Sequence, residues 1–236
     1  MAGGVARDAP RESTLHRVHL MRKSTTASDK VNPWLKVPLE DYERHMDLPE
    51  IGQAMMLNEA LAVSVREFRP KSVAIAGCAG GNGIVRIAAM GVARIAGIDL
   101  NPQYLAAVHQ RLGSWVPGLE LHLADIQTGV PECAPVELVF AGLILEYVDV
   151  AATLNVLRTL SAPGGVLVIV LQRPCETKPA VSDSPYRSLM ALESIMHLRD
   201  PDAVASAAQD AGFTAIASRR VTLDSGKAFE ILSFRA

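Results

Sequence analysis

From Pro70 onward the chain alternates short apolar runs with amphipathic stretches, and few folds accommodate that rhythm. "KSVAIAG" reads as a buried strand ending in a glycine cluster, and Asn82 to Met90 as the helix after it. "ARIAGIDL" is a second strand, followed by a helix from Pro102 to about Leu112 with proline in its first turn. "LELHLAD" and "VELVFAG" are the third and fourth strands. Asp149 to Leu160 is a helix ended by "SAPGG", and "GGVLVIVLQ" is the fifth strand. Asp200 caps a last helix with Pro201 at its first position, which stops at Gly212. "TAIASRRVTL" and "KAFEILSFRA" close the chain, joined by Asp224, Ser225 and Gly226, a hairpin signal. Strands that are apolar on both faces and alternate with helices predict a doubly wound, mostly parallel α/β sheet covered on both sides.

The segment before Pro70 is different. Residues 1–30 carry six Lys/Arg against three Asp/Glu, with no sustained periodicity, and are expected to be a flexible tail. Residues 31–236 are expected to form one domain. Within them, "NPWLKVPLEDYERHM" offers Trp34, Leu35, Tyr42 and Met46 as docking points. Asp47 then reads as the cap of a helix running to Phe68, with Ile51, Met55, Leu57 and Leu61 at helical spacing.

Composition narrows the partners. A net charge of −2 over 236 residues gives no electrostatic case for nucleic acid or an anionic membrane. The longest apolar runs are too short to span a bilayer. Cys78, Cys133 and Cys175 are odd in number and form no CxxC pair, so neither a disulfide framework nor a zinc site is expected, and a reducing cytoplasm fits.

In an open parallel sheet, ligands bind beyond the carboxyl ends of the strands. The first strand ends in "AGCAGGNG", where glycines let the backbone approach a ligand and turn into a helix whose amides face it. Asp99, 18 residues beyond Gly81, lies at the tip of the second strand and can accept from two ribose hydroxyls. Asp125 ends the third strand, where a carboxylate can accept from an adenine amino group. A dinucleotide site calls for GxGxxG, but Ala79 and Asn82 stand where its second and third glycines belong.

With the closing hairpin, this pattern resembles the class I S-adenosylmethionine-dependent methyltransferases over roughly Asp47 to Ala236. "VAIAGCAGGNG" is similar to the glycine-rich first motif, "GIDLNPQYL" to the ribose-binding second and "LADI" to the adenine-binding third. "VELVFAGLILEYVD" is similar to the fourth-strand motif and "LSAPGGVLVIV" to the turn into the fifth strand. The resemblance implies a seven-stranded Rossmann-like sheet in the order 3-2-1-4-5-7-6, with strand 7 antiparallel. It implies S-adenosyl-L-methionine as cofactor and no metal. It carries cofactor contact to Gly77, Cys78, Ala79, Gly81 and Asn82 of the first motif, to Asp99 and Leu100 of the second, to Asp125 and Ile126 of the third, and to Ala141 on the fourth strand. Ile75 stands where the family often carries an acid, and Tyr147 where a histidine often follows the acid of the fourth motif. Glu146 reads as a solvated residue at a helix start.

Methyl transfer from a sulfonium is an in-line displacement, so alignment and exclusion of water carry the catalysis. A base is needed only where the acceptor must lose a proton. Tyr42 and Tyr186 are candidates to offer a π-face or a hydroxyl over the strand ends, and His45 is the candidate base. Leu189, Met190, Leu192, Ile195 and Met196 suggest a lid helix in an insert from about Pro174 to Leu198, where acceptor specificity is expected. His109 and His122 read as structural. The expected partner is a small-molecule acceptor, and a homodimer stays open. The rival readings are a cyclase or lyase that consumes the same cofactor and releases methylthioadenosine, a non-catalytic cofactor-binding subunit, and a dinucleotide oxidoreductase.

Overall fold

The computed structural model describes residues 32–175 and 179–236, so the predicted tail at 1–30 lies outside the described residues. Among the described residues, seven strands form one sheet in the order β3-β2-β1-β4-β5-β7-β6. They are β1 (Ser72–Ala76), β2 (Arg94–Asp99), β3 (Leu119–Leu123), β4 (Val136–Gly142), β5 (Ser161–Gln172), β6 (Thr214–Thr222) and β7 (Ala228–Arg235). The first five run parallel, and β7 is antiparallel to both β5 and β6. This is the order that the resemblance implied.

Strand pleating divides the core in two. Val73, Ile75, Leu138, Phe140, Val166 and Val168 face one side and meet Met56, Leu61 and Val65 of helix α2 (Gln53–Phe68), Ile84 and Ile87 of α3 (Ile84–Ala89) and Val108 of α4 (Pro102–Leu112). Ala74, Ala76, Val139, Ala141, Leu167 and Ile169 face the other, under Leu154 and Leu157 of α5 (Val150–Leu160) and Val204 of α6 (Pro201–Asp210). Fully burying each such aliphatic side chain is worth about 1.5–3 kcal/mol, which is why these strands carry almost no polar residues. Ile75, where the family often has an acid, belongs to the first of these faces and is 6% exposed. The last strand, β6, is exposed along most of its length and carries Arg219 and Arg220, charges of the kind that discourage edge-to-edge pairing. Among the described residues, no helix is long and apolar enough to cross a membrane.

Two elements differ from the sequence reading. The stretch read as a docking segment is itself a helix, α1 (Leu39–Asp47), opened after Pro38. Asp47 is its last residue rather than a cap, and α2 begins only after Gly52, which takes a left-handed conformation (φ 64°) between the two helices. The apolar spacing from Ile51 to Val65 concealed that break. The expected lid helix is a 3-10 helix, Arg187–Ser194, whose Leu189 and Leu192 pack with Val37 in a third, smaller cluster.

Candidate functional site

Above the carboxyl ends of β1, β2 and β4 lies a cleft of about 670 Å³, its open mouth included. The glycine loop after β1 forms its floor. Gly77 is left-handed (φ 71°) and its amide donates to the Ile98 carbonyl at 2.9 Å, tying the loop to β2. A Cβ on Gly77 would sit 2.7 Å from Ile144 Cδ1. Gly77→Ala should therefore both strain the backbone by about 1–2 kcal/mol and narrow the cleft. The expected result is a lower melting temperature together with weaker binding of S-adenosylhomocysteine in calorimetry. Ala79, which replaces a family glycine, keeps the glycine-like geometry (φ 44°).

That geometry serves Asp99. The Ala79 amide donates to its Oδ2 at 2.9 Å, and the Asn101 amide to its Oδ1 at 2.9 Å. Each carboxylate oxygen can accept a second bond, so the acid is both fixed and available. Burial pushes its carboxyl above the usual range, and the backbone donors oppose that shift. Asp125 also lines the cleft, with Oδ1 accepting from the Gln127 amide at 3.0 Å, and Leu100 and Ile126 add apolar surface.

The roof comes from the segment ahead of α2. Asn32, Trp34 and Tyr42 line the cleft from above. Asn101 Nδ2 donates to the Trp34 carbonyl at 3.0 Å, and the Tyr104 hydroxyl to the Val37 carbonyl at 2.9 Å. Glu43 lies directly over Gly80, where a Cβ would collide with it, and Arg111 holds that carboxylate at 2.5 and 3.1 Å. Trp34 meets Tyr42 and Tyr147 edge-on, with ring centroids 5.6 and 5.1 Å apart. Burial, and then the Asp99 charge, raise the Tyr42 phenol well above its ordinary value, so the ring stays neutral.

A second cavity of about 440 Å³ shares Trp34, Tyr42, Leu143 and Tyr147 with the first. It extends under the 3-10 helix and includes His45. Burial, and then the Lys227 charge, lower the His45 pKa and keep the imidazole neutral.

Of the residues singled out in the sequence, Gly77, Ala79, Asp99, Leu100, Asp125 and Ile126 line the first cavity, Tyr42 lines both, and His45 the second. The others sit elsewhere. Cys78 is buried with Sγ against Gly97, and burial raises its thiol pKa. Gly81 packs toward Leu112 and Ile84. Asn82 turns outward and donates to the Ala54 carbonyl of α2 at 2.8 Å. Ala141 faces the α5 side of the core. Tyr186 lines neither cavity, because it precedes the 3-10 helix and packs into the third cluster. His109 is exposed, and His122 lies 3.4 Å from Glu120.

Sequence reading places Tyr104 in the second motif and Tyr147 in the fourth but gives neither a part in the cleft, which both line, and it misplaced Glu146. That residue is fully buried, not solvated. Its Oε1 accepts from the Gln172 amide at 2.8 Å, Oε2 has no partner among the described residues, and its carbonyl accepts from His197 at 2.7 Å. Burial pushes its carboxyl up to about 7.

Residues 73–165 match the family described as "Methyltransferase domain". A trans-aconitate 2-methyltransferase of Methylobacterium radiotolerans is 40% identical over 95 residues, 39% of this chain and 35% of that protein. One of Azoarcus sp. is 37% identical over 83 residues, 34% of this chain and 30% of that protein. The matched part thus spans about a third of each curated relative. Among solved structures, the N-methyltransferase NodS from Bradyrhizobium japonicum WM9, in complex with S-adenosylhomocysteine, superposes with a TM-score of 0.57 at 19% identity, covering 88% of this chain and 93% of that one. At that identity the likeness shows the fold. The matched segment makes residues 73–165 similar to a methyltransferase domain, and the strand order and the acids at the tips of β2 and β3 agree with that likeness.

Proposed function

We propose that this chain is a methyltransferase that takes S-adenosylmethionine into the first cavity and passes its methyl group to a small molecule in the second. The observation that carries the reading is the pair Asp99 and Asp125, held at adjacent strand tips in a cleft that runs on into a separate, aromatic-walled cavity.

The donor set fits the cofactor. Asp99 takes the ribose hydroxyls, with both its oxygens preset by backbone amides. Asp125 takes the adenine amino group, between Leu100 and Ile126. Gly77 lets the loop backbone approach the methionine portion. Trp34, Tyr42 and Tyr147 form the wall between the two cavities, and an aromatic face there stabilises a cation by about 0.5–2 kcal/mol. When bound, S-adenosylmethionine supplies an electrophilic methyl on a sulfonium. The residues of this chain hold the partners in line and exclude water under the α1 roof. His45 is placed to receive a proton from the acceptor. The near-neutral charge supports a small-molecule partner over nucleic acid or a membrane surface, and an odd number of widely spaced cysteines supports a cytoplasmic setting. A homodimer is compatible with this reading.

A melting experiment tests the cofactor. S-adenosylmethionine or S-adenosylhomocysteine at about 100 times its dissociation constant should stabilise the fold by about 2.7 kcal/mol, and NADH should give no shift. Turnover should release S-adenosylhomocysteine. Methylthioadenosine as the nucleoside product would replace methyl transfer with self-cyclisation or elimination, and an equal shift with NADH would remove the cofactor assignment.

A further inference from the structure

The second cavity has a chemistry of its own. Trp34, Tyr42 and Tyr147 form its wall toward the first cavity, while Leu143, Leu189 and Met196 add apolar surface. Among the described residues, no Asp, Glu, Lys or Arg lines it. Its polar members are few. The Gln53 and Gln172 amides bond to each other at 3.3 Å, and Gln172 also donates to the Ala180 carbonyl at 2.9 Å. His45 is different: it is 6% exposed, and its Nδ1 is buried with no partner among the described residues. A buried nitrogen left unmatched is destabilising, and a ligand that supplies the missing donor recovers that cost.

We infer that the second cavity receives a flat, uncharged acceptor, a phenol or an N–H heteroarene, whose acidic hydrogen is donated to His45 Nδ1. The inference rests on the methyltransferase reading and adds the class of its substrate. It sets this chain apart from the proteins named trans-aconitate 2-methyltransferase, because a carboxylate acceptor needs no base and brings charges that this lining does not match. Burying carboxylates without cationic partners in the lining is strongly unfavourable, so the cavity selects against them. Lys227 lies nearby but is not part of the lining, and its Nζ donates to the Ala180 carbonyl at 3.0 Å. Burial and the Lys227 charge hold His45 neutral, and in the tautomer protonated on Nε2 its Nδ1 is an acceptor. In the transfer, the acceptor's O–H or N–H proton passes to Nδ1 while its lone pair forms the new bond to the methyl carbon. The carbon–sulfur bond breaks with its electron pair left on sulfur, so a sulfonium and a neutral acceptor yield a thioether, a methylated product and an imidazolium.

The test separates substrate class from cofactor. With S-adenosylhomocysteine at saturation, binding of catechol, 3-hydroxyquinoline, indole, trans-aconitate and citrate is followed by calorimetry, and methyl transfer from S-adenosylmethionine to each is assayed in parallel. At least one neutral aromatic should bind and be methylated, tenfold or more ahead of either polycarboxylate. His45→Leu, which fills the volume without an acceptor atom, should lose tenfold or more in affinity for that probe. His45→Asn, whose amide oxygen can replace Nδ1, should recover part of it and guards against a folding defect in the leucine variant. Both variants should keep their affinity for S-adenosylhomocysteine. Polycarboxylates bound or methylated as well as every neutral probe would overturn the inference and leave the methyltransferase reading standing. So would a protein that binds S-adenosylhomocysteine but none of the neutral aromatics, or a His45→Leu variant that binds them unchanged. Failure to bind S-adenosylhomocysteine would remove the reading and the inference together.

Discussion

Asp99→Ala should weaken S-adenosylhomocysteine binding roughly 30- to 1,000-fold, the equivalent of about 2–4 kcal/mol. The size follows from two roles held by one carboxylate. It is the acid at the tip of β2 in the cleft, placed to take both ribose hydroxyls, and it also accepts the Ala79 and Asn101 amides. Removing it takes away the charge-assisted contacts and loosens the left-handed Ala79 turn that shapes the floor. Calorimetry on the variant, with its folding checked by circular dichroism, measures the effect. Asp125→Ala should cost less, since an adenine amino group offers that acid a single bond. Equal losses at the two positions would contradict the assignment of the ribose to Asp99.

Glu146 gives the second large effect, on stability rather than binding. Its carboxyl pKa is about 7 in the folded chain against 4.5 as the ordinary value. Between those values the folded state holds a proton that the unfolded state has released, so stability falls as pH rises. The loss is absent below about pH 4.5, develops between there and pH 7, and is complete above. Two and a half pH units correspond to about 3 kcal/mol for this fully buried group. In a chain of this size that moves the melting temperature by roughly 6–12 °C. His45 works in the opposite direction, because its lowered pKa makes stability rise with pH through its own range. The clean measurement is therefore a difference: urea unfolding at pH 5, 6, 7 and 8 for the parent and Glu146→Gln. The parent should lose about 2.5 kcal/mol relative to the variant across that series, the first part of the loss lying below pH 5. Parallel curves would mean that Glu146 is charged in the fold or not buried.

Glu146 also marks where the sequence stopped being informative. Strand and helix order were legible because burial on both faces of a parallel sheet leaves no choice of residue type along "VAIAG" or "VLVIVLQ". The helix Pro102–Leu112 lies on the residues that its proline start predicted. The position of Asp99 and Asp125 in the cleft was legible because strand tips are local features and the turn after each is short. Glu146 could not be placed the same way, since its burial depends on the Gln172 amide 26 positions away and on the 3-10 segment that brings His197 over it. The wall between the cavities is equally non-local. Trp34 and Tyr42 come from the segment ahead of α2, Tyr147 from beyond β4, and Tyr104, which stacks on Tyr42, from α4; only the fold brings their rings together. Tyr186 was misread for the converse reason: a tyrosine after proline in a long insert has many places to go, and here it joins the packing beside Val37.

The roof over the cleft carries a kinetic consequence. Trp34 and Val37 are tethered to the β2–α4 region by one hydrogen bond each, and Glu43 is pinned over Gly80 by Arg111. Each neutral tether is worth about 1 kcal/mol, and Val37 and Met46 are buried, so lifting the roof costs these bonds and the apolar contacts beneath it but does not require the sheet to melt. A ligand lodged beneath it can leave by the open mouth of the cleft, and leaves faster whenever the roof lifts. Its residence time then depends in part on residues 32–47, which precede every strand, and shortening the Asn101 side chain changes how long a ligand stays without altering a side chain that lines the cleft.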